Sequence, residues 1–338
     1  MQKISLSNSS RSAPNGFDAP GGAIIDPARH KAGEGPKISV LMPVHNGDVY
    51  LGEAVDSILH QTEPRFEFLI VDDGSTDRSR DLLRAYANTD PRIRLLLRDH
   101  EGLVPALNYG ISVACAPFLA RMDADDVALP DRFARQLAAL EADPRIGALG
   151  THVEVSDQVG RPIRSFTPPA DHDTLDAHLI THGSPCFWHP SVMMRTDLLR
   201  EIGGYSEAYP YTEDLDLWFR IAEQMRLSVL PETLLKYRVH LASVSVTKRA
   251  TQHRSARAAW LAACRRRGST APDLPAIPAA APTEVDIMRK WAAWAMRSGH
   301  FSTARHYAWK SFRTAPFTPG AAGLLFWVMT GRGIRRRS

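Results

Sequence analysis

Between Lys37 and Met122 the apolar positions fall into short unbroken runs that alternate with segments of helical period, and this rhythm predicts the elements directly. Strands are expected over 38–42, 66–71, 93–97 and 118–122, with helices over 50–60, 78–87 and 104–114 between them. Repeated βα units read as a mostly parallel sheet covered by helices, an α/β fold. A further helix should begin at Pro130, because proline suits a first helical turn, and 146–155 is apolar enough for another strand.

The rhythm loosens over 156–212, where Pro, His, Thr and Gly predict a loop-rich region suited to substrate contacts. A helix over 212–221 follows, capped by Thr212, with Glu213, Asp214 and Asp216 in its first turn where the helix dipole favours negative charge. Strands over 227–230 and 234–239 and a helix over 248–267 complete one catalytic domain, residues 37–268. Residues 1–36, rich in Ser, Asn, Gly, Pro and Ala, read as a disordered leader, and 269–282 as an Ala/Pro-rich linker. Within 283–338, helices over 284–297 and 303–313 form a hairpin whose apolar side must dock on the catalytic domain or on a partner. The segment from Ala321 onward sets aromatic and aliphatic residues beside a basic tail, which suits an anionic membrane surface.

With 338 residues, 44% of them hydrophobic, the chain can build a large core, which excludes general disorder. The net charge of +4 comes largely from two clusters, Arg265 to Arg267 and Arg332 to Arg337, which argues against a nucleic-acid partner. Cys115, Cys186 and Cys264 share no disulfide or metal spacing and read as packing residues in a reducing compartment. No apolar run approaches the roughly 20 residues that cross a bilayer, and the first residues lack the core of a signal peptide. The expected location is therefore the cytoplasm, with peripheral contact at the inner face of the plasma membrane through the C-terminus.

Chemistry enters where strands end. The run from Phe118 to Met122 stops at Asp123, Asp125 and Asp126, three carboxylates within four residues. Like charges this crowded raise one another's proton affinity unless a cation or a set of donors offsets them, so this strand end predicts a divalent metal. The run from Phe66 to Val71 ends the same way in Asp72 and Asp73. Ligands of open α/β sheets bind beyond the carboxyl ends of strands, and two acidic ends there describe one metal-assisted site for a phosphorylated ligand.

Five motifs recur in order: Pro43-Val44-His45-Asn46, Ser57 to Thr62, Val71 to Asp77, Met122 to Asp126, and Thr212-Glu213-Asp214. Together they resemble the bacterial family 2 glycosyltransferases from about Lys37 to about residue 245. The resemblance implies the GT-A fold, a nucleotide-sugar donor with UDP foremost, Mn²⁺ or Mg²⁺, inversion at the anomeric carbon, and a saccharide or lipid-linked acceptor. It places Asp125 on the metal, Asp123 on the metal or the ribose, and His240 in the same coordination shell, with Arg238 or Lys248 near phosphate and Ser243 and Ser245 following. It places Pro43, His45, Asn46, Asp72 and Asp73 at the nucleotide, although many relatives carry Tyr where His45 stands. Glu101 to Asn108 would touch the diphosphate.

An acidic first turn alone serves helix electrostatics as well as catalysis, but the family position makes Asp214 the general base, with Glu213 and Asp216 raising its pKa. Glu213, Trp188 and His189 fall on the acceptor side, where an indole either stacks on a sugar face or packs in a core. Two other functions compete. A sugar-phosphate nucleotidyltransferase would want a Gly-rich basic phosphate loop after the first strand, which Pro43 to Gly47 lacks, and a non-catalytic scaffold would recruit assembly proteins through the helical hairpin.

Overall fold

A computed structural model describes residues 35–241, 248–270 and 282–331. The leader up to residue 34, Ser243 and Ser245, the linker over 271–281 and the basic tail from Arg332 lie outside the described residues.

The predicted alternation is realised as β1 (Ile38–Val44), α1 (Leu51–Leu59), β2 (Phe66–Asp73), α2 (Ser79–Thr89), β3 (Ile93–Arg98), α3 (Leu103–Val113) and β4 (Phe118–Arg121). These four strands pair with one another in parallel, in the order β3-β2-β1-β4, with Ile38 opposite both Phe66 and Phe118. The carboxyl ends of β1, β2 and β4 therefore emerge along one edge of the sheet, which brings Asp72, Asp73 and the Asp123–Asp126 turn to the same side. Side chains alternate across the strands: Val40 and Met42 join Phe68 and Val55 in one core, while Leu41 joins Leu69, Leu107 and Trp218 in the other.

Past β4 the sheet becomes mixed. β5 (Val127–Ala128), α4 (Arg132–Ala142), β6 (Ile146–Asp157), β7 (Pro162–Phe166), α5 (His172–His182), β8 (Met193–Arg195), α6 (Thr196–Glu201), α7 (Glu213–Ala222) and β9 (Arg226–Val239) follow. β8 runs antiparallel between β4 and β6, β9 lies parallel to β6, and β7 is an antiparallel neighbour of β6.

Three expectations change here. The region over 156–212 carries β7, α5, β8 and α6 rather than loops, and α5 was hidden because its apolar residues form no stripe, although Asp171 caps it by accepting from the Thr174 amide. The strands expected over 227–230 and 234–239 are one strand, β9. Pairing passes from Leu230–Thr151 directly to Thr233–His152, so Pro231 sits in an irregularity where its missing N–H costs no ladder bond. Cys115 is exposed, whereas Cys186 and Cys264 are buried as expected.

α8 (Arg249–Arg266) packs on the α7 side, with Trp260 and Cys264 in the larger core. The C-terminal hairpin, α9 (Glu284–Arg297) and α10 (Phe301–Thr314), is joined by α11 (Ala321–Thr330), and it docks on its own chain. Ile163 of β7, together with Val239 and Leu241, enters the cluster formed by Ile287, Trp291 and Tyr307, and the Tyr307 hydroxyl donates to buried Asp157 at 2.7 Å. Leu324, Leu325 and Val328 of α11 cover the same cluster. Among the described residues no helix is long and apolar enough to cross a membrane.

Candidate active site

The turn after β4 gathers Asp123, Asp125 and Asp126 so that one oxygen from each lies within 4.8 Å of the others. The end of β9 closes over them. The Arg238 amide donates to Asp126 Oδ1 at 2.8 Å, the Arg238 guanidinium donates to the Asp125 carbonyl at 2.8 Å, and His240 Nε2 stands 3.2 Å from Asp125 Oδ2. Burial, and then the charges of Asp125 and Asp123, push the Asp126 carboxyl well above the ordinary range, and Asp126 Oδ2 is buried without a hydrogen-bond partner. Burial raises Asp123 as well, opposed by Arg121 and reinforced by Asp125. Several crowded oxygens, one of them orphaned, with an imidazole at the rim, make a donor set that fits a hard divalent cation such as Mg²⁺ or Mn²⁺.

Asp123, Asp125 and His240 form part of the wall of a cavity of about 820 Å³. Glu213, Asp214, His189 and Arg121 line it too, so the predicted base and the predicted metal ligands share one chamber. Thr212 occupies the N-cap position of α7 without capping through its side chain, since its hydroxyl donates to the Tyr209 carbonyl instead. The Asp214 carboxylate accepts the Leu215 amide at 2.8 Å, and burial pushes its pKa up to about 6. Burial, followed by the charge of Asp214, pushes Glu213 up to about 7. The predicted help from Asp216 does not materialise, because Asp216 turns to Arg220 at 2.8 Å.

Arg121 escaped the sequence reading, since a lone arginine at the end of an apolar strand looks like a strand residue. It is buried, forms an ion pair with Asp123, and opposes the upward shifts of Asp214 and Glu213. Burial, then Arg121, holds the His189 imidazole well below its ordinary range, so His189 is neutral against the Tyr205 hydroxyl at 2.6 Å. Tyr211, with φ of 65°, also lines the cavity and accepts from Gln252 through its carbonyl, backbone strain of the kind that collects at functional sites. Trp188 is elsewhere: its ring packs between Phe166 and Tyr237 and does not line the chamber.

The end of β2 is organised differently from the expectation. Asp72 is fully buried and pairs with Arg80 at 2.7 Å, a structural bond rather than a cavity-facing one. Asp73 accepts the amides of Glu101 and Gly102 at 2.8 and 3.0 Å, together with His100 Nδ1 at 2.8 Å, and so anchors the N-terminus of α3. Glu101 and Gly102 themselves line the cavity. His45 donates through Nδ1 to the Asp73 carbonyl at 2.7 Å and stacks on His100 with centroids 4.0 Å apart. Asn46, at φ of 53°, accepts the Thr76 and Asp77 amides, and its own amide donates to Ser75. These bonds, with Asp77 accepting from the Ser79 amide, organise the start of α2. Pro43 is a partly buried β1 residue paired opposite Val71.

Residues 39–203 match the model of glycosyl transferase family 2. The O-antigen biosynthesis glycosyltransferase WbnJ of Escherichia coli is 34% identical over 208 residues, 60% of this chain and 80% of that protein. The chain belongs to glycosyl transferase family 2. An uncharacterized glycosyltransferase of Haemophilus influenzae is 29% identical to this family 2 enzyme over 220 residues, 61% of this chain and 66% of the relative. Among solved structures, the mannosyltransferase PcManGT from Pyrobaculum calidifontis in complex with GDP-Man and Mn²⁺ superposes with a TM-score of 0.53 at 21% identity, covering 89% of this chain and 80% of that one. The shared fold is GT-A.

Proposed function

We propose that this family 2 enzyme is a metal-dependent, inverting glycosyltransferase that moves a sugar from a UDP-sugar or a related nucleotide-sugar donor to a hydroxyl of a saccharide or lipid-linked acceptor in surface polysaccharide biosynthesis. One observation carries the reading: Asp123 and Asp125 of the carboxylate cluster face the same cavity as Asp214. A divalent cation held by Asp125, with Asp123 and His240, would neutralise charge on the departing nucleoside diphosphate. Asp214 accepts the proton of the acceptor hydroxyl as that oxygen bonds to the anomeric carbon and the bond to the diphosphate oxygen breaks on the opposite side. Its raised pKa suits it to the task, because a base works best when its proton affinity lies near the working pH. His189 and Glu213 line the acceptor side, and Asp73, through Glu101 and Gly102, shapes the donor side. The O-antigen biosynthesis role of WbnJ supports the polysaccharide setting, and the GDP-Man and Mn²⁺ bound to PcManGT support the donor class and the cation.

Contact with the inner face of the plasma membrane belongs to the same proposal. It is supported by Phe317, fully exposed, and by Phe326 and Met329, each more than half exposed on α11. The test is thermal-shift titration of UDP, GDP and dTDP with Mn²⁺, followed by turnover of the matching sugars. Stabilisation by one of them that disappears in Asp125→Ala supports the reading, and indifference to all three defeats it.

A further inference from the structure

The described residues hold a second concentration of charge, opposite in sign to the carboxylates. Arg164 of β7 and Lys290 of α9 both sit on the Trp294 ring, with the Arg164 Cζ 4.0 Å and the Lys290 Nζ 4.4 Å from its centroid. Arg249, in the first turn of α8, lies close enough for its charge to act on Lys290. Burial first, then the charges of Arg249 and Arg164, hold the Lys290 ammonium below the ordinary lysine range.

Among the described residues none of the three forms an ion pair with a carboxylate, and Arg164 Nε is buried without a hydrogen-bond partner. The carboxylates on α9 are engaged elsewhere: Glu284 faces Lys310 at 4.0 Å, and Asp286 bonds Thr283 in a capping box. An aromatic face attracts a cation but does not neutralise three of them. Through Arg249 the group adjoins the helix that walls the active-site cavity. Arg249 Nε lies 3.3 Å from His253 Nε2, and His253, with Gln252 and Ala256 on the same helix, lines the cavity.

We propose that Arg164, Arg249 and Lys290 form a binding site for a phosphate or diphosphate group at the α8 edge of the cavity, separate from the carboxylate cluster. Three donors arriving from three elements match a group with several charged oxygens better than a single carboxylate does. The C-terminal hairpin, which supplies Lys290 and Trp294, thereby becomes a wall of the substrate site. Only the identity of the phosphate's bearer, donor or acceptor, rests on the proposed function.

The test begins with inorganic pyrophosphate, titrated by calorimetry into the full chain in EDTA so that no cation occupies the carboxylates. Saturable binding is expected, with Lys290→Gln and Arg249→Gln each weakening it roughly ten- to hundredfold while Lys290→Arg retains it and melting temperatures hold. Absence of binding, or binding indifferent to these two variants and to Arg164→Gln, overturns the site. UDP with Mn²⁺ and farnesyl diphosphate then separate the sources. Weakening of UDP in Lys290→Gln assigns the group to the donor, and weakening of farnesyl diphosphate alone assigns it to a lipid-linked acceptor. Weakening of pyrophosphate with both others untouched also overturns the proposal. Asp125→Ala should lose nucleotide binding yet keep metal-free pyrophosphate binding, so the two readings fail independently.

Discussion

At the residue scale the decisive pair is Asp214 and Arg121, one carboxylate lifted by burial and one guanidinium that restrains the lift. Asp214→Asn keeps shape and removes the proposed base, so kcat should fall by about 10²- to 10⁴-fold, while the melting temperature above pH 6 holds or rises because a buried charge is lost. Asp214 accepts a proton only when ionised, so kcat/KM should rise through pH about 6 and be lost below it. Arg121→Gln should move that acid limb upward, because the charge that lowers Asp214 is gone; an unmoved limb would remove Arg121 from this role. Glu213 tests the sign on stability. Its folded pKa of about 7 lies above the ordinary 4.5, so stability present at low pH is lost as pH rises between those values. Glu213→Gln should therefore raise the melting temperature by a few degrees at pH 8 and change it little at pH 5. Asp123, Asp125 and Asp214 were legible because acidic residues at a strand end or in a first helical turn stand out against apolar surroundings. Arg121 and the orphaned oxygen of Asp126 were not, since their meaning lies in what faces them across the fold.

At the scale of elements, the loops after β1 and β2 act as one laced unit. Asn46, Gly47 and Asp48 bond to Ser75, Ser79 and Asp77, and Asp73 ties the unit to α3. Sequence placed these residues at the nucleotide by family position but could not show that several spend their polar atoms on one another. Gly74 is the point where this lacing tolerates no side chain. Its φ is 69°, and a Cβ there would stand 2.6 Å from the His100 backbone nitrogen. Gly74→Ala should cost at least about 2 kcal/mol in denaturant unfolding and weaken nucleotide binding with it. The long β9 was misjudged for a related reason: Pro231 reads as a strand terminator, and only the skipped pairing with β6 shows how the ladder survives it.

At the scale of the whole molecule, amphipathic period foretold a hairpin in need of a partner, and the partner is the edge formed by β7 and the end of β9. Which surface it would choose was unreadable, because Ile163, Val239 and Leu241 look like ordinary strand residues until the hairpin covers them. Tyr307→Phe removes one hydrogen bond to a carboxylate that Arg161 still engages, so it should cost about 1 kcal/mol and spare turnover. The run Val239, His240, Leu241 has a consequence of its own. Its middle residue reaches the carboxylates while its two neighbours enter the hairpin core, so a single short span belongs to both. Occupancy of the cleft and seating of the C-terminal helices are then linked reciprocally: to whatever extent a bound nucleotide steadies the hairpin, a clamp on the hairpin strengthens the grip on the nucleotide by the same factor.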